Sequence, residues 1–274
     1  MALTVEDDYL SSLPQLRYFS TPRRVRAEAF GRVLVESGSA RLVWEPGRVV
    51  PQYAVPVAAL RGELSDSSAA VPDARPVTFL GVEALDPSTP FGVHSCPGRS
   101  MRLRAPGGDL DGAVFLPADP DLDGWAVLDF EAFDTWFEED EVIFGHARDP
   151  RSRVEVRRSA RHVVVEVNGT VVADSRRPVL VMETFLPTRF YLPREDVAMR
   201  LLRPSSTRST CAYKGHASYL SVDLGADLHQ DLAWTYEDPV AEVGKIAGLI
   251  AFLDERVDVT VDGEHQPRPR SPWS

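Results

Sequence analysis

The sequence has little of what marks zinc-binding, secreted or membrane proteins. It contains two cysteines, Cys96 and Cys211, and neither belongs to a Cys-x-x-Cys pair. A closed structural zinc site needs about four closely spaced nitrogen or sulfur ligands, so no metal site is expected. No apolar run approaches the ~20 residues of a membrane-spanning helix, and residues 1–16 carry acids where a signal peptide needs a basic start. We therefore expect a cytoplasmic protein with no membrane partner.

Positive charge is also in short supply. The formal net charge is −11 over 274 residues, and the isoelectric point is near 5.1. Nucleic-acid binding needs a positive field that releases counterions, so no nucleic-acid partner is expected. Lysine is almost absent, with Lys214 and Lys245 beside 28 arginines. Genomic composition explains most of such a bias, but a retained lysine also marks a place for a compact ammonium with a tunable pKa.

The sequence contains a long internal repeat. Residues 23–53 align without a gap with residues 161–191, at an offset of 138 positions. The matched residues include turn, acidic, aromatic and thiol positions: Gly31 with Gly169, Glu45 with Glu183, Tyr53 with Tyr191 and, further along, Cys96 with Cys211. A repeat of this length predicts a tandem duplication of one structural unit. We place the two domains at residues 1–150 and 151–274, with a long insert near residues 65–90 of the first.

Short β-forming segments separated by turn residues dominate the chain. Residues 162–167 and 170–174 flank Asn168-Gly169, a dipeptide typical of a type I′ hairpin because both turn positions need positive φ. The second copy is predicted to contain about eight strands. Short helices are predicted after Pro193 and over residues 240–249. The fold class is therefore mainly β, or α+β with short helices.

An acidic residue interrupts an apolar strand in each copy. Glu183 lies in the apolar run of residues 180–185, and Glu45 recurs at the matching place. Such a carboxylate either faces solvent at an edge, accepts bonds from the backbone amides of a hairpin, or is buried with a partner that sets its pKa. The recurrence makes Glu183 a candidate site residue.

A second polar segment, residues 210–219, combines a thiol, an ammonium, an imidazole and two phenols. Strand alternation places Lys214 and His216 on one face and Cys211 on the other. A bulge at Gly215 would change this assignment. A thiol on the opposite face is more simply a small buried hydrophobic group than a nucleophile.

The first copy lacks several of these groups. Phe115 and Pro117 stand where the second copy has Trp234 and Tyr236, and His216 has no evident counterpart. We therefore predict that the second copy holds the working site. The alternative is that both copies only pack, with aromatic side chains filling the core.

Several motifs of known chemistry are missing. The sequence has no Gly-x-Gly-x-x-Gly dinucleotide fingerprint, no phosphate-binding P-loop and no Gly-x-Ser-x-Gly elbow. Residues 119–130 begin like a calcium loop but place Phe130 where a bidentate glutamate is required. No cofactor is predicted.

Four motifs occur in order in the second copy: Met182-Glu183-Thr184, residues 190–196 (FYLPRED), residues 211–215 (CAYKG) and Ala233-Trp234-Thr235-Tyr236. Together they resemble the bacterial family known as domain of unknown function 427, over residues 161–264. The first copy looks like a diverged member. The resemblance implies a compact, mainly β unit of the tent-like kind, with two sheets meeting at an angle.

The resemblance supplies positions and leaves their chemistry open. Some family members carry a nucleotidyltransferase-like label, but Gly38-Ser39 is not followed here by the paired acids that hold magnesium in that class. Taken with the residue patterns, the positions assigned to catalysis are Glu183, Lys214 and Tyr191. The positions assigned to substrate binding are Arg194, His216, Tyr219, Trp234, Tyr236 and Cys211.

The leading hypothesis is a small-molecule enzyme or ligand-binding protein. Glu183 would act as general acid or base, and Lys214 would bind an anionic group or polarise a carbonyl. Tyr191, Trp234 and Tyr236 would line the walls of the pocket. The rival hypothesis is a non-catalytic structural or protein-interaction module, so whether the protein is an enzyme stays open at this point.

Overall fold

The computed structural model describes residues 2–225, 227–269 and 271, and it divides into two compact units. The boundary falls between Asp149 and Pro150. Both units are built from antiparallel strands joined by turns and single turns of 3₁₀ helix. The predicted mainly β fold class is confirmed.

The first unit begins with helix α1 (Val5–Ser12), whose amino end is capped by the Thr4 hydroxyl accepting the Asp7 amide at 3.0 Å. Its strands are β1 (Arg17–Thr21), β2 (Val25–Ala29), β3 (Arg32–Ser37), β4 (Ala40–Trp44), β5 (Gln52–Pro56), β6 (Glu63–Asp66), β7 (Pro76–Phe79), β8 (Val82–Leu85), β9 (Gly98–Ala105), β10 (Gly108–Pro117), β11 (Trp125–Leu128), β12 (Thr135–Glu138) and β13 (Glu141–Ile143). Short 3₁₀ helices span Val57–Ala59, Pro120–Leu122 and Phe130–Ala132.

The second unit has eleven strands among its described residues, against the eight or so predicted. They are β14 (Val154–Arg158), β15 (Val163–Val167), β16 (Thr170–Ser175), β17 (Val179–Glu183), β18 (Arg189–Leu192), β19 (Leu202–Cys211), β20 (Gly215–Asp223), β21 (Leu228–Thr235), β22 (Ile250–Phe252), β23 (Asp258–Val261) and β24 (Glu264–His265). Its 3₁₀ helices span Arg194–Asp196, Met199–Leu201 and Ala241–Ile246. The predicted helix over 240–249 is thus shorter and more tightly wound.

The hairpin predicted at Asn168-Gly169 is confirmed. Asn168 has φ of 49° and Gly169 has φ of 74°, and they join β15 to β16. Phe30 and Gly31 take the same conformation, with φ of 55° and 68°, between β2 and β3. Positive φ at both positions of each turn is what a type I′ hairpin requires.

The two units share one strand order. Each has a seven-stranded sheet, in the orders β1-β4-β5-β11-β10-β9-β6 and β14-β17-β18-β22-β21-β20-β19. Each also has a four-stranded sheet, in the corresponding orders β13-β12-β2-β3 and β24-β23-β15-β16. The strands correspond one to one, except that the first unit adds the β7-β8 hairpin. This hairpin lies within the predicted insert at residues 65–90, which is therefore partly regular structure.

The register of the strands corrects the alignment of Tyr53 with Tyr191. Val181 on β17 pairs with Arg189, whereas its counterpart Val43 on β4 pairs with Gln52, so the connection in the first unit is one residue longer. Because side chains alternate along a strand, this single residue moves Tyr53 to the opposite face of its sheet.

The surroundings of Tyr53 show the same shift. It stacks on Trp136 at 5.4 Å between ring centroids, and its hydroxyl bonds Glu138, both on β12 of the four-stranded sheet. Ala54 takes the place that corresponds to Tyr191, because it pairs with Arg41 as Tyr191 pairs with Val179.

Two hydrophobic clusters cover the two faces of the seven-stranded sheet in the second unit. One lies between the sheets and includes Leu192, Ile250 and Phe252 with the valines of β15 and β23. The other lies on the opposite face, where Val181 and Tyr191 pack beneath the 3₁₀ helix Ala241–Ile246. The second cluster is the setting of the candidate site.

Candidate functional site

Strand pairing brings the predicted site residues to one face of the seven-stranded sheet. Tyr191 on β18 lies opposite Ala251, which lies opposite Trp234 on β21, which lies opposite Tyr219 on β20. Tyr191 pairs with Val179 of β17, and Glu183 lies four residues after Val179 at the end of the same strand. Because side chains alternate along a strand, Glu183 shares the sheet face of Tyr191. The polar groups therefore project into an apolar cluster rather than into open solvent.

Lys214 reaches this face from a turn and not from a strand. Strand β19 ends at Cys211 and β20 begins at Gly215, so residues 212–214 form the hairpin turn. Gly215 has φ of 108°, and a Cβ there would lie 3.3 Å from the Asp238 carbonyl oxygen, so glycine is needed. The predicted sharing of one strand face by Lys214 and His216 is wrong for this reason.

Lys214 and Glu183 form an ion pair, called here the Lys214–Glu183 pair. The Lys214 ammonium nitrogen Nζ lies 2.5 Å from Glu183 Oε1, and the side chains are only 12% and 13% exposed. Burial opposes the ammonium, but the carboxylate of Glu183 outweighs it, so the pKa of Lys214 is raised. Lys214 is therefore a fixed positive charge at neutral pH and not an amine nucleophile.

Two buried phenols flank the pair. Trp234 donates its indole N–H to the Tyr191 hydroxyl at 2.9 Å, and burial raises the pKa of Tyr191 to about 12 although the Lys214 charge opposes the shift. Burial also raises the pKa of Tyr236. Both phenols stay protonated at neutral pH. Because the Tyr191 oxygen accepts from Trp234, its own proton is available to donate.

Cys211 and Tyr219 complete the face. Cys211 is half-buried at the end of β19, close enough to Lys214 and Tyr191 to affect their electrostatics. The Tyr219 hydroxyl lies 3.1 Å from Ser209 Oγ, and its ring lies 6.5 Å from that of Trp234.

Two residues predicted to bind substrate make other contacts. Arg194 donates from Nε to the Gly248 carbonyl at 2.9 Å and bonds the exposed Glu237. His216 Nδ1 lies 2.9 Å from the Thr210 hydroxyl, on an exposed part of the hairpin. The structure thus brings together Glu183, Lys214, Tyr191, Cys211, Tyr219, Trp234 and Tyr236.

Sequence reasoning missed a second charged group beside this face. Arg189 donates to both carboxylate oxygens of Glu255, at 2.8 and 2.5 Å, and lies 3.5 Å from Asp254 Oδ2. Its guanidinium carbon also lies 5.8 Å from the Trp234 ring centroid. We call Arg189, Asp254 and Glu255 the Arg189 cluster. The available signal was two acids directly after the apolar run of residues 249–253.

The Arg189 cluster contains two carboxyl groups and one guanidinium. Glu255 takes the bidentate bond, and its pKa is lowered although burial alone would raise it, because Arg189 and Ser271 donate to it. Burial raises the pKa of Asp254 to about 7, against the attraction of Arg189. Asp254 therefore changes charge near neutral pH.

Replacing Asp254 with asparagine is expected to stabilise the protein more at pH 8 than at pH 5. The folded pKa of about 7 lies above the unfolded value, so the stability that Asp254 contributes is full at low pH and is lost as the pH rises from 4 to 7. The neutral amide removes that loss, and the gain at pH 8 should exceed the gain at pH 5 by about 2 kcal/mol. Urea unfolding at both pH values measures this, and equal effects would contradict it.

In the first unit Glu45, the counterpart of Glu183, has different hydrogen-bond partners. Glu45 is 2% exposed and accepts the Ser95 amide at 2.8 Å, while His94 Nδ1 lies 2.9 Å from its other oxygen. The Cys96 thiol lies 3.6 Å from Glu45, and burial raises the pKa of that thiol to about 12. Glu45 is thus held by fixed neighbours, among them His94, which sequence reasoning missed.

The predicted correspondence of Cys96 with Cys211 is a similarity of the sequences only. The same holds for the basic residue three positions later, which is Arg99 in the first copy and Lys214 in the second. Cys96 precedes β9, which corresponds to β20, whereas Cys211 ends β19. Arg99 bonds the exposed Asp66 at 2.7 Å, on the surface.

The described part of the chain shows neither a cluster of metal ligands nor a membrane-spanning helix. No group of three or more histidine, cysteine, aspartate or glutamate side chains there is arranged to hold a metal ion. Likewise, none of the described helices has the length and apolar character needed to cross a bilayer.

Comparison with known proteins identifies a family for the second unit. No curated protein matches the chain. The model of the family described as Domain of unknown function (DUF427) matches residues 155–263, close to the 161–264 expected from the motifs. The second unit of this chain is therefore a DUF427 domain.

Proposed function

We propose that the second unit binds, and acts on, a small polar molecule that carries an anionic or carbonyl group, at the Lys214–Glu183 pair. The observation that carries the proposal is a buried ammonium and carboxylate, 2.5 Å apart, within an apolar cluster and beside two protonated phenols. Groups of opposite charge that are placed together in an apolar environment are what acid–base chemistry uses.

The proposed roles follow from the charges. Lys214 is the group that binds a carboxylate or polarises a carbonyl oxygen, because it stays charged at neutral pH. Glu183 is the proton acceptor or donor, and Tyr191 donates a hydrogen bond. Trp234 and Tyr236 form the walls.

We also propose that the first unit is a diverged copy without this site. The two units share their strand order, which supports the duplication. In the first unit His94 and a backbone amide hold Glu45, Arg99 lies on the surface, and Ala54 replaces Tyr191. The chemistry would therefore be confined to the second unit.

The rival proposal is a non-catalytic module in which the pair only stabilises the fold. The observation in its favour is the cover of the same face by the 3₁₀ helix Ala241–Ile246, where Val243 and Ile246 are buried. The two proposals differ in one respect: only the first needs Lys214 for anything other than stability.

A thermal-shift screen against anionic and carbonyl metabolites tests the proposal, since a ligand that binds the folded state raises its melting temperature. The expected result is a compound whose stabilisation is lost in Lys214→Met and weakened in Glu183→Gln. Lys245→Met is the matched control, because Lys245 is the other lysine of the chain and, among the described residues, donates to the Val156 carbonyl at 3.3 Å. A screen without any such compound, or a hit that Lys214→Met binds as well as the wild type does, would overturn the proposal.

A further inference from the structure

A cavity of about 450 Å³ lies on the other face of the seven-stranded sheet in the second unit. Leu180 and Phe190 line it, and they alternate with Val181 and Tyr191, whose side chains belong to the face of the Lys214–Glu183 pair. The cavity is thus a place separate from the site proposed above.

The walls of the cavity combine apolar and polar side chains from several parts of the chain. Leu180 and Phe190 come from the seven-stranded sheet, Val259 from β23, and Pro267 from the segment that follows β24. Pockets for small molecules typically measure about 300 to 1,000 Å³ and combine apolar walls with a few polar groups. The volume of this cavity lies within that range.

Asp254 is the acidic group that lines this cavity, and its charge is not balanced. The guanidinium of Arg189 is engaged by both oxygens of Glu255, whose side chain is fully buried, so Asp254 shares a cation that is already neutralised. With Asp254 ionised, the Arg189 cluster carries a net charge of −1. A second cation placed in the cavity would restore the balance.

Among the described residues, the other charged groups near the cavity do not supply that cation. Arg161 also lines the cavity, but its side chain is 59% exposed and lies 3.7 Å from the carboxylate of Asp262. Glu183 shares a sheet face with Arg189 and adds negative charge to its surroundings. Among the described charged groups around Asp254, the field is therefore negative.

We infer that this cavity binds a small amphipathic molecule with a primary ammonium group, for which Asp254 is the counter-ion. The apolar part of the walls takes the body of the ligand, and the ammonium donates to the Asp254 carboxylate. An anion would face the Asp254 carboxylate, and a neutral molecule would leave the charge of the Arg189 cluster unbalanced.

Affinity for an ammonium ligand should rise with pH. Because burial raises the pKa of Asp254 to about 7, a proton occupies the carboxyl at low pH and competes with the ligand. Above that pH the carboxylate is free to pair with the ammonium, so affinity should level off near pH 8.

Three probes of the same shape test the inference in the full chain: phenethylamine, 2-phenylethanol and 3-phenylpropionate. Titration at pH 8 should show the amine binding at least about tenfold tighter than the alcohol, and the carboxylate binding weakest. The preference for the amine should shrink at pH 5. It should disappear in Asp254→Asn, whose folding is checked by its urea unfolding.

Three outcomes would overturn the inference: equal affinity for the amine and the alcohol, a preference that persists in Asp254→Asn, or no binding of any probe at millimolar concentration. Phenethylamine binding should weaken only slightly in Glu183→Gln, because Glu183 does not line the cavity and acts on the Arg189 cluster only through the charge of Arg189. Loss in that variant and not in Asp254→Asn would assign the amine to the Lys214–Glu183 pair instead.

Discussion

Replacing Arg189 with methionine is expected to lower the free energy of unfolding by about 4 kcal/mol at pH 8. The guanidinium is the shared partner of Glu255, whose side chain is fully buried, and of Asp254, whose side chain is 12% exposed. Methionine fills much of the volume but leaves two carboxyl groups without their cation. An unpaired buried charge loses its solvation without a compensating interaction.

Two controls make this expectation specific. Arg189→Lys keeps the positive charge but loses the bidentate bond to Glu255, so it should lose less stability than the methionine variant. The loss in Arg189→Met should also shrink at pH 5, because protons can then neutralise Asp254 and Glu255. Urea unfolding at both pH values measures these differences. A loss below about 1 kcal/mol at pH 8 would show that the cluster is not needed for folding.

Replacing Lys214 with methionine is expected to lower the free energy of unfolding by about 3 kcal/mol. Glu183, whose side chain is 13% exposed, would keep a charge with no partner. The double variant Glu183→Gln with Lys214→Met has no such charge and should recover most of the stability. This non-additivity is the signature of a direct interaction between two residues.

The double variant also separates the two proposals for the site. If the pair serves a ligand, the double variant is stable but binds no compound that stabilises the wild type. If the pair only stabilises the fold, the double variant is stable and binds the same compounds as the wild type does. Additive losses in the two single variants and the double variant would contradict the ion pair itself, and Lys245→Met gives the background effect of removing a lysine.

Part of the site was predictable because its signals are local. Glu183 breaks an apolar strand, and Lys214 is one of two lysines in a chain rich in arginine, so each residue was noticeable without a structure. The Asn168-Gly169 turn has an intrinsic conformational preference that the fold does not override. These features depend on a few neighbouring residues.

Errors arose wherever one residue decided the geometry. The turn at residues 212–214 interrupts strand alternation, so Lys214 and His216 do not lie on one strand face. The connection between β4 and β5 is one residue longer than its counterpart, which places Tyr53 on the other sheet face. Side chains alternate with a period of two, so an error of one position inverts every assignment that follows. A repeat aligned without gaps cannot reveal such a shift.

The remaining groups depend on contacts between distant segments. Arg189 and Glu255 are 66 positions apart, and His94 and Glu45 are 49 positions apart. His94 follows an irregular segment that Arg48 holds through bonds to backbone carbonyls, including those of Pro90 at 3.0 Å and Val93 at 2.7 Å. No periodicity in the sequence indicates pairings of this kind.

Lysine-selective NMR distinguishes a charged, ligand-binding Lys214 from one that only stabilises the fold. Protein labelled with ¹³C at lysine Cε should give two side-chain signals, because the chain has two lysines. We expect the Lys214 signal to titrate above the ordinary lysine pKa of about 10.4 and to shift when a stabilising anion from the screen is added, while the Lys245 signal stays in place. A Lys214 signal that titrates below that value, or that no stabilising compound moves, would contradict this expectation.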